Sequence, residues 1–302
     1  MKLLTHYGQR FYTHFAAQDP LDLITRLTLL VIVLSDWVVG EDWRFKAPLR
    51  LIALIGLLVP PLHRHRLLWL GLALIFSAMS WTHWWTQDNH IFLLTYWCLA
   101  LCIAFFSQQN PSALVATNAR LLIGLSFAFA VLWKGILSPD FMDGTYFHYT
   151  FLTDNRFQDF GLLFGDMKYA DFAYNRQRLA RLGNANAAIE FLNLRSSDQL
   201  ALLATVITWW TLFIEGALAV LFLWPGETGP ARYRHGALLV FAWTTYLIAT
   251  VETFGWTLLT LGAAQCLPDQ HRLRLLYMLS CLLILLYHYV PLMLLLRLFV
   301  AD

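Results

Sequence analysis

Charge is what this sequence has least of. Of its 302 residues only 13% are Asp, Glu, Lys or Arg, against roughly a quarter in a soluble domain. With 59% of the residues hydrophobic, the chain cannot cover itself with a solvated surface, which excludes an ordinary water-soluble globule. The net charge of +2 leaves no basic excess for a nucleic acid partner. Cysteine is scarce too. Cys98, Cys102, Cys266 and Cys281 lie inside or beside apolar runs, which argues against a disulfide framework, and their spacing matches no zinc site. The first twenty residues lack the unbroken apolar stretch and small-residue cleavage site of a signal peptide, so membrane insertion is expected to rely on the first spanning helix. There is no internal repeat and no low-complexity linker.

What the sequence has instead is long apolar runs, at about 21–40, 48–62, 66–86, 91–107, 114–137, 200–224, 234–263 and 273–298. A bilayer core asks for about 20 apolar residues per helix. The fold class expected is therefore all-α, a polytopic membrane helical bundle of about eight transmembrane helices forming one domain over 1–302. Thirteen Trp and twelve Tyr suit the two interfaces, where amphipathic rings sit at headgroup level. Over residues 3–16, Leu4, Tyr7, Phe11 and Phe15 share one helical face, as in a helix lying in the interface, and Asp19-Pro20 ends it. The second run is short and stops at Pro60-Pro61.

With the N-terminus inside, Lys2, Arg10, Arg64, Arg66, Arg120, Arg232, Arg234 and Arg297 fall on the inner side, against Arg44, Lys46, Arg50, Arg272 and Arg274 on the outer. The positive-inside rule then places both termini in the cytoplasm of a bacterial-type inner membrane and puts residues 138–199 outside. That hydrophilic excursion is too long for a turn. Its aromatic pieces, from Tyr146 to Phe160, suggest an extracytoplasmic loop that packs on the membrane surface as a lid.

Ionisable groups inside apolar helices are costly and normally face the bundle interior. The candidates are Arg26 and Asp36 in the first run, His83 ending the third, Asn89-His90 opening the fourth, Arg120 and Lys134 in the fifth, Glu215, Glu252 and His288. Lys134, in AFAVLWKGILSPDFMDG, is the sharpest chemical signal: an amine held in an apolar helix is a candidate base, although a lysine there can also snorkel to the interface. The topology brings His90 to the same membrane face, where it can act as the hydrogen-bonding partner of that base. Glu215 must be protonated or paired, with Arg120 and Arg26 as available cations. Glu252, near Gly255, marks a potential helix break lining a cavity or handling protons. His83 and His288 read as interface anchors on opposite faces, so neither haem nor a metal is expected.

These residues also carry a resemblance. DPLDLITRLTLLVIVLSDW with Arg26, DNHIFLLTYWCLALC with Asn89-His90, and ARLLIGLSFAFAVLWKGILSPDFMDG with Arg120, Lys134, Asp140, Phe141 and Gly144 together resemble the horizontally transferred transmembrane domain, the helical core of the vitamin K-dependent gamma-carboxylase family. The resemblance implies a quinol-dependent carboxylase or oxygenase. In it Lys134 is the base that deprotonates a reduced, vitamin K-like quinone, His90 is its partner, and Asn89, Arg120 and Arg26 belong to the cofactor-binding set. In that family oxygen then produces a strong base that removes a proton from a peptide glutamate, to which carbon dioxide adds. Three features depart from the pattern. Lys134 matches when counted from Arg120 but is displaced by about two positions when counted from Asp140, as if a small insertion separated them. The family's Phe-His pair reads Phe241-Ala242 here. The chain stops at Asp302 without the large propeptide-binding domain, so a small lipid-soluble substrate is expected ahead of a protein one.

Two classes of function stay open at this point. One is a carboxylase-like membrane enzyme acting on a quinone or a peptide. The other is a non-catalytic membrane subunit or scaffold whose protein partner supplies the activity. A transporter would require paired inverted repeats, and none is seen.

Overall fold

The computed structural model describes residues 12–35, 42–182, 193–226, 228–246 and 251–289. Among them every regular element is a helix. Helix α1 (Pro20–Leu34) starts where the Asp19 carboxylate accepts the Leu21 N–H and Pro20 sits at the first position, whose missing N–H is not needed there. Asp42 caps α2 (Trp43–Leu58) in the same way, and a short 3-10 turn over Pro60–Arg64 leads to α3 (Arg66–Thr82). Next come α4 (Asn89–Phe106) and α5 (Pro111–Leu132), which Asn110 caps and which runs on through one π turn at Trp133–Leu137. Four short helices follow: α6 (Pro139–Met142), α7 (Thr145–Thr153), α8 (Gln158–Phe164) and α9 (Tyr169–Leu182). The chain ends in α10 (Asp198–Leu223), α11 (Arg234–Tyr246), α12 (Glu252–Ala264) and α13 (His271–Tyr289).

Three of the described helices are long and apolar enough to cross a membrane: α4, α5 with its π turn (Pro111–Leu137), and α10. Helix α3 is apolar but one residue shorter than α4. In its described residues the chain is thus all-helical, and it carries the signature of a membrane protein. Helix α12 sits at the centre, packed against α1, α4, α5, α11 and α13. Its residues from Gly255 to Ala263 are all buried, the pattern of a helix enclosed on every side. The closest partnership is α5 with α10. At their crossing a Cβ on Gly124 would stand 2.8 Å from Leu223 side-chain carbons and 3.2 Å from its backbone nitrogen, so only glycine lets the two backbones approach.

Several expectations change here. The 138–199 excursion is not an open loop: its described part folds into α6 to α9, and Phe151, Leu152, Phe157, Met167 and Phe172 bury against Leu200, Ala204 and Ile207 of α10 as a second core. Phenylalanines spaced along short helices had a hydrophobic face to bury, and the first turns of α10 provide the surface. The seventh run, 234–263, is two helices. The interruption lies before Glu252, which opens α12, and Gly255 falls inside that helix, pressed on Tyr246 and Ile284. Of the expected interfacial helix only 12–16 is described, and it is helical. Asp36 and the His288 side chain lie outside the described residues.

Candidate functional site

Helix α5 widens into its π turn at the point where Lys134 leaves the ordinary ladder, and such turns re-aim a side chain. The Lys134 ammonium points at α10, where its Nζ donates to Glu215 Oε1 at 2.5 Å. The two side chains are 23% and 8% exposed, so the pair sits at the rim of the interior rather than in solvent. The Phe141 ring of α6 lies 5.2 Å from Nζ, its negative π face toward the cation. Phe141 can reach that position because Gly144 turns the chain with a left-handed φ of +86° close against Thr205 of α10. From Phe141, ring contacts run through Phe147 to Phe151 and into the core of the small helical layer.

The pair forms the polar end of a cavity of about 670 Å³ between α4, α5, α10 and α12. Its walls are otherwise mainly aromatic: Phe92 and Tyr96 from α4, Phe127 and Trp133 from α5, and Phe254 from α12. Asn89 adds an amide. Tyr96, Phe129 and Trp133 are more than half exposed on its outer edge, so the opening faces sideways, where lipid surrounds a membrane helix. Two buried polar atoms stand nearby without a hydrogen-bond partner among the described residues, the second Glu215 oxygen and the Tyr246 hydroxyl, and the two side chains are in electrostatic reach of each other.

The predicted residues separate into two groups. Lys134 and Asn89 meet at the cavity. His90 does not line it; it is buried one position on, within electrostatic reach of Asp88 and Glu252. Arg120 is fourteen residues before Lys134 on the same helix, roughly 21 Å away along the axis, and donates to the Trp224 carbonyl at 3.0 Å. Arg26 is exposed on α1. Neither arginine lines the cavity, and neither is the cation that pairs with Glu215. Tyr246 was missed altogether: a tyrosine in the middle of an apolar run raises no question of charge in the sequence, whereas here it is buried within electrostatic reach of Glu215.

No protein-family model, curated protein or solved structure matches the chain.

Proposed function

We propose that this chain is a polytopic membrane enzyme in which the Lys134–Glu215 pair takes a proton from a reduced quinone, the first step of carboxylase- or oxygenase-type chemistry. The observation that carries this reading is an ion pair on the wall of an otherwise aromatic cavity that opens sideways. Such a pair holds one mobile proton between two bases. When that proton sits on Glu215, the Lys134 amine is free to accept another from a substrate hydroxyl, and the cation formed balances the anion left behind. The cavity volume falls within the range of small-molecule sites, and its aromatic walls suit a flat ring. The stretch of displaced spacing between Lys134 and Asp140 contains the π turn, which takes up one of the roughly two extra positions, and this supports the resemblance to the carboxylase core.

Around this site the reading places about eight membrane helices in a bacterial-type inner membrane, with both termini cytoplasmic and α6 to α9 as an extracytoplasmic cap over the pair. Lipids surround it, and a peptide or protein partner meets the cap side.

The test compares the wild type with Lys134→Ala for oxygen-dependent consumption of a reduced naphthoquinone in membranes, with circular dichroism as a check on folding. Turnover in the wild type and a loss of about a hundredfold or more in the variant are expected if Lys134 is the base. Equal rates, or none in either, count against the enzyme and for the second reading, a non-catalytic membrane subunit. Specific features favour that alternative: His90 is turned away from the cavity, and Ala242 stands where the carboxylase pattern has a histidine.

A further inference from the structure

A second cavity of about 660 Å³ lies on the outer face of α3 and α4, separated from the first by Phe92 and Tyr96, which line both. Its polar feature is Ser80. A buried hydroxyl in an apolar helix normally bonds the carbonyl one turn back, and Thr25, Thr28, Ser35, Thr95, Thr208, Thr257, Thr260 and Ser280 all do so. Ser80 does not. It is 8% exposed, its Oγ is buried without a partner among the described residues, and it lines the groove. Ser77, one turn earlier, lines the groove as well. A donor held this way asks for an acceptor from outside the protein.

The depth and charge of the groove say which acceptor. It lies where α3 ends, beside Trp81, Trp84 and Trp85, which are 85%, 57% and 81% exposed, a tryptophan belt of the kind that marks headgroup level. Among the described residues no charged side chain lines it, so none of them complements a phosphate there. At that depth a bilayer offers a neutral acceptor with an acyl chain attached, the ester carbonyl. We propose that the groove holds one diacyl glycerophospholipid, whose ester carbonyl accepts a hydrogen bond from Ser80 Oγ and whose chain lies on Phe92 and Tyr96. The bound lipid thereby backs the wall of the Lys134 cavity, and its binding is independent of any turnover there.

The experiment titrates the full chain, delipidated in detergent, with diester phosphatidylglycerol and with its diether analogue, which lacks the carbonyls, and reads occupancy by native mass spectrometry. The expected result is about fivefold tighter binding of the diester, the size of one neutral hydrogen bond, with that preference gone in Ser80→Ala. Ser77→Trp, which fills the groove from its open side, is expected to lose both lipids. Equal affinity of the wild type for the two lipids overturns the proposal, as does a preference that survives Ser80→Ala or binding of neither lipid. The wild-type comparison alone decides the matter if a variant does not fold.

Discussion

Lys134 Nζ and Glu215 Oε1 lie 2.5 Å apart, although Glu215 comes 81 positions later in the chain. A half-broken pair leaves one charge in an apolar wall. Glu215→Leu alone, or Lys134→Met alone, should therefore lower stability by about 3 kcal/mol. The double variant, Lys134→Met with Glu215→Leu, should recover most of the loss, because neither charge then remains to be solvated. Unfolding of all four proteins in mixed micelles gives the double-mutant cycle. Additive losses would show that the two groups do not act as a pair.

The sequence displayed each member of this pair but not their pairing. Apolar runs fix where helices form, and Lys134 and Glu215 stand out because each interrupts one. Depth is what misleads. Counted from Asp198, Glu215 lies about 26 Å down its helix at 1.5 Å per residue, far from the end where Lys134 sits and closer to Arg120. In the structure Leu200, Ala204 and Ile207 pack against the small helical layer, so the first turns of α10 stand in that layer and the helix joins the main bundle only below them. Glu215 is thereby raised to the level of Lys134. Nothing in the apolar periodicity encodes that offset; it follows from the excursion folding into helices. His90 shows the same limit at smaller scale, since one step of about 100° around a helix decides that Asn89 lines the cavity and His90 does not.

Gly124 and Gly216 belong to the same pair of helices and should respond oppositely to alanine. A methyl on Gly124 meets Leu223 within 3 Å and its backbone within 3.2 Å, which forces α10 away from α5. Gly124→Ala should cost about 1–3 kcal/mol. Around Gly216 a Cβ meets nothing within 4 Å, so Gly216→Ala should be neutral or slightly stabilising through its gain in helix propensity. Thermal unfolding in micelles checks both. A tolerated Gly124→Ala would contradict the close approach of the two helices.

Outside the apolar segments, the Arg44 guanidinium, bonded to both oxygens of Asp42, holds that carboxyl well below the usual aspartate range, and His83 adds a further contact at 3.2 Å. A carboxyl whose folded-state value is depressed contributes stability above its unfolded value, roughly pH 4, and loses it as the pH falls further. Asp42→Asn should therefore unfold more easily than the wild type at pH 7. The two proteins should converge as the pH drops below about 4, with no change in their difference between pH 6 and 8. Protection of the Arg44 and Phe45 amides against hydrogen exchange reports the start of α2 directly, and a constant gap down to pH 2 would remove Asp42 from that cap.

Tyr246 offers the sharpest contrast between packing and polarity. Its ring is 2% exposed, lies edge-on to Phe241 and fills the space beside Gly255, while its hydroxyl has no partner among the described residues and lies within electrostatic reach of the acid that holds Lys134. Tyr246→Phe keeps the ring and removes only the unpaired oxygen. Because burying an unpartnered hydroxyl is unfavourable, the variant should be as stable as the wild type or more so, by up to about 1 kcal/mol. Tyr246→Ala, which empties the space against Gly255 and Phe241, should lose about 3–5 kcal/mol. Melting curves of the three proteins separate the two contributions. A clear loss in Tyr246→Phe would mean that the hydroxyl is bridged to the second Glu215 oxygen, and the Lys134–Glu215 pair would then have to be treated as a triad when its proton is followed.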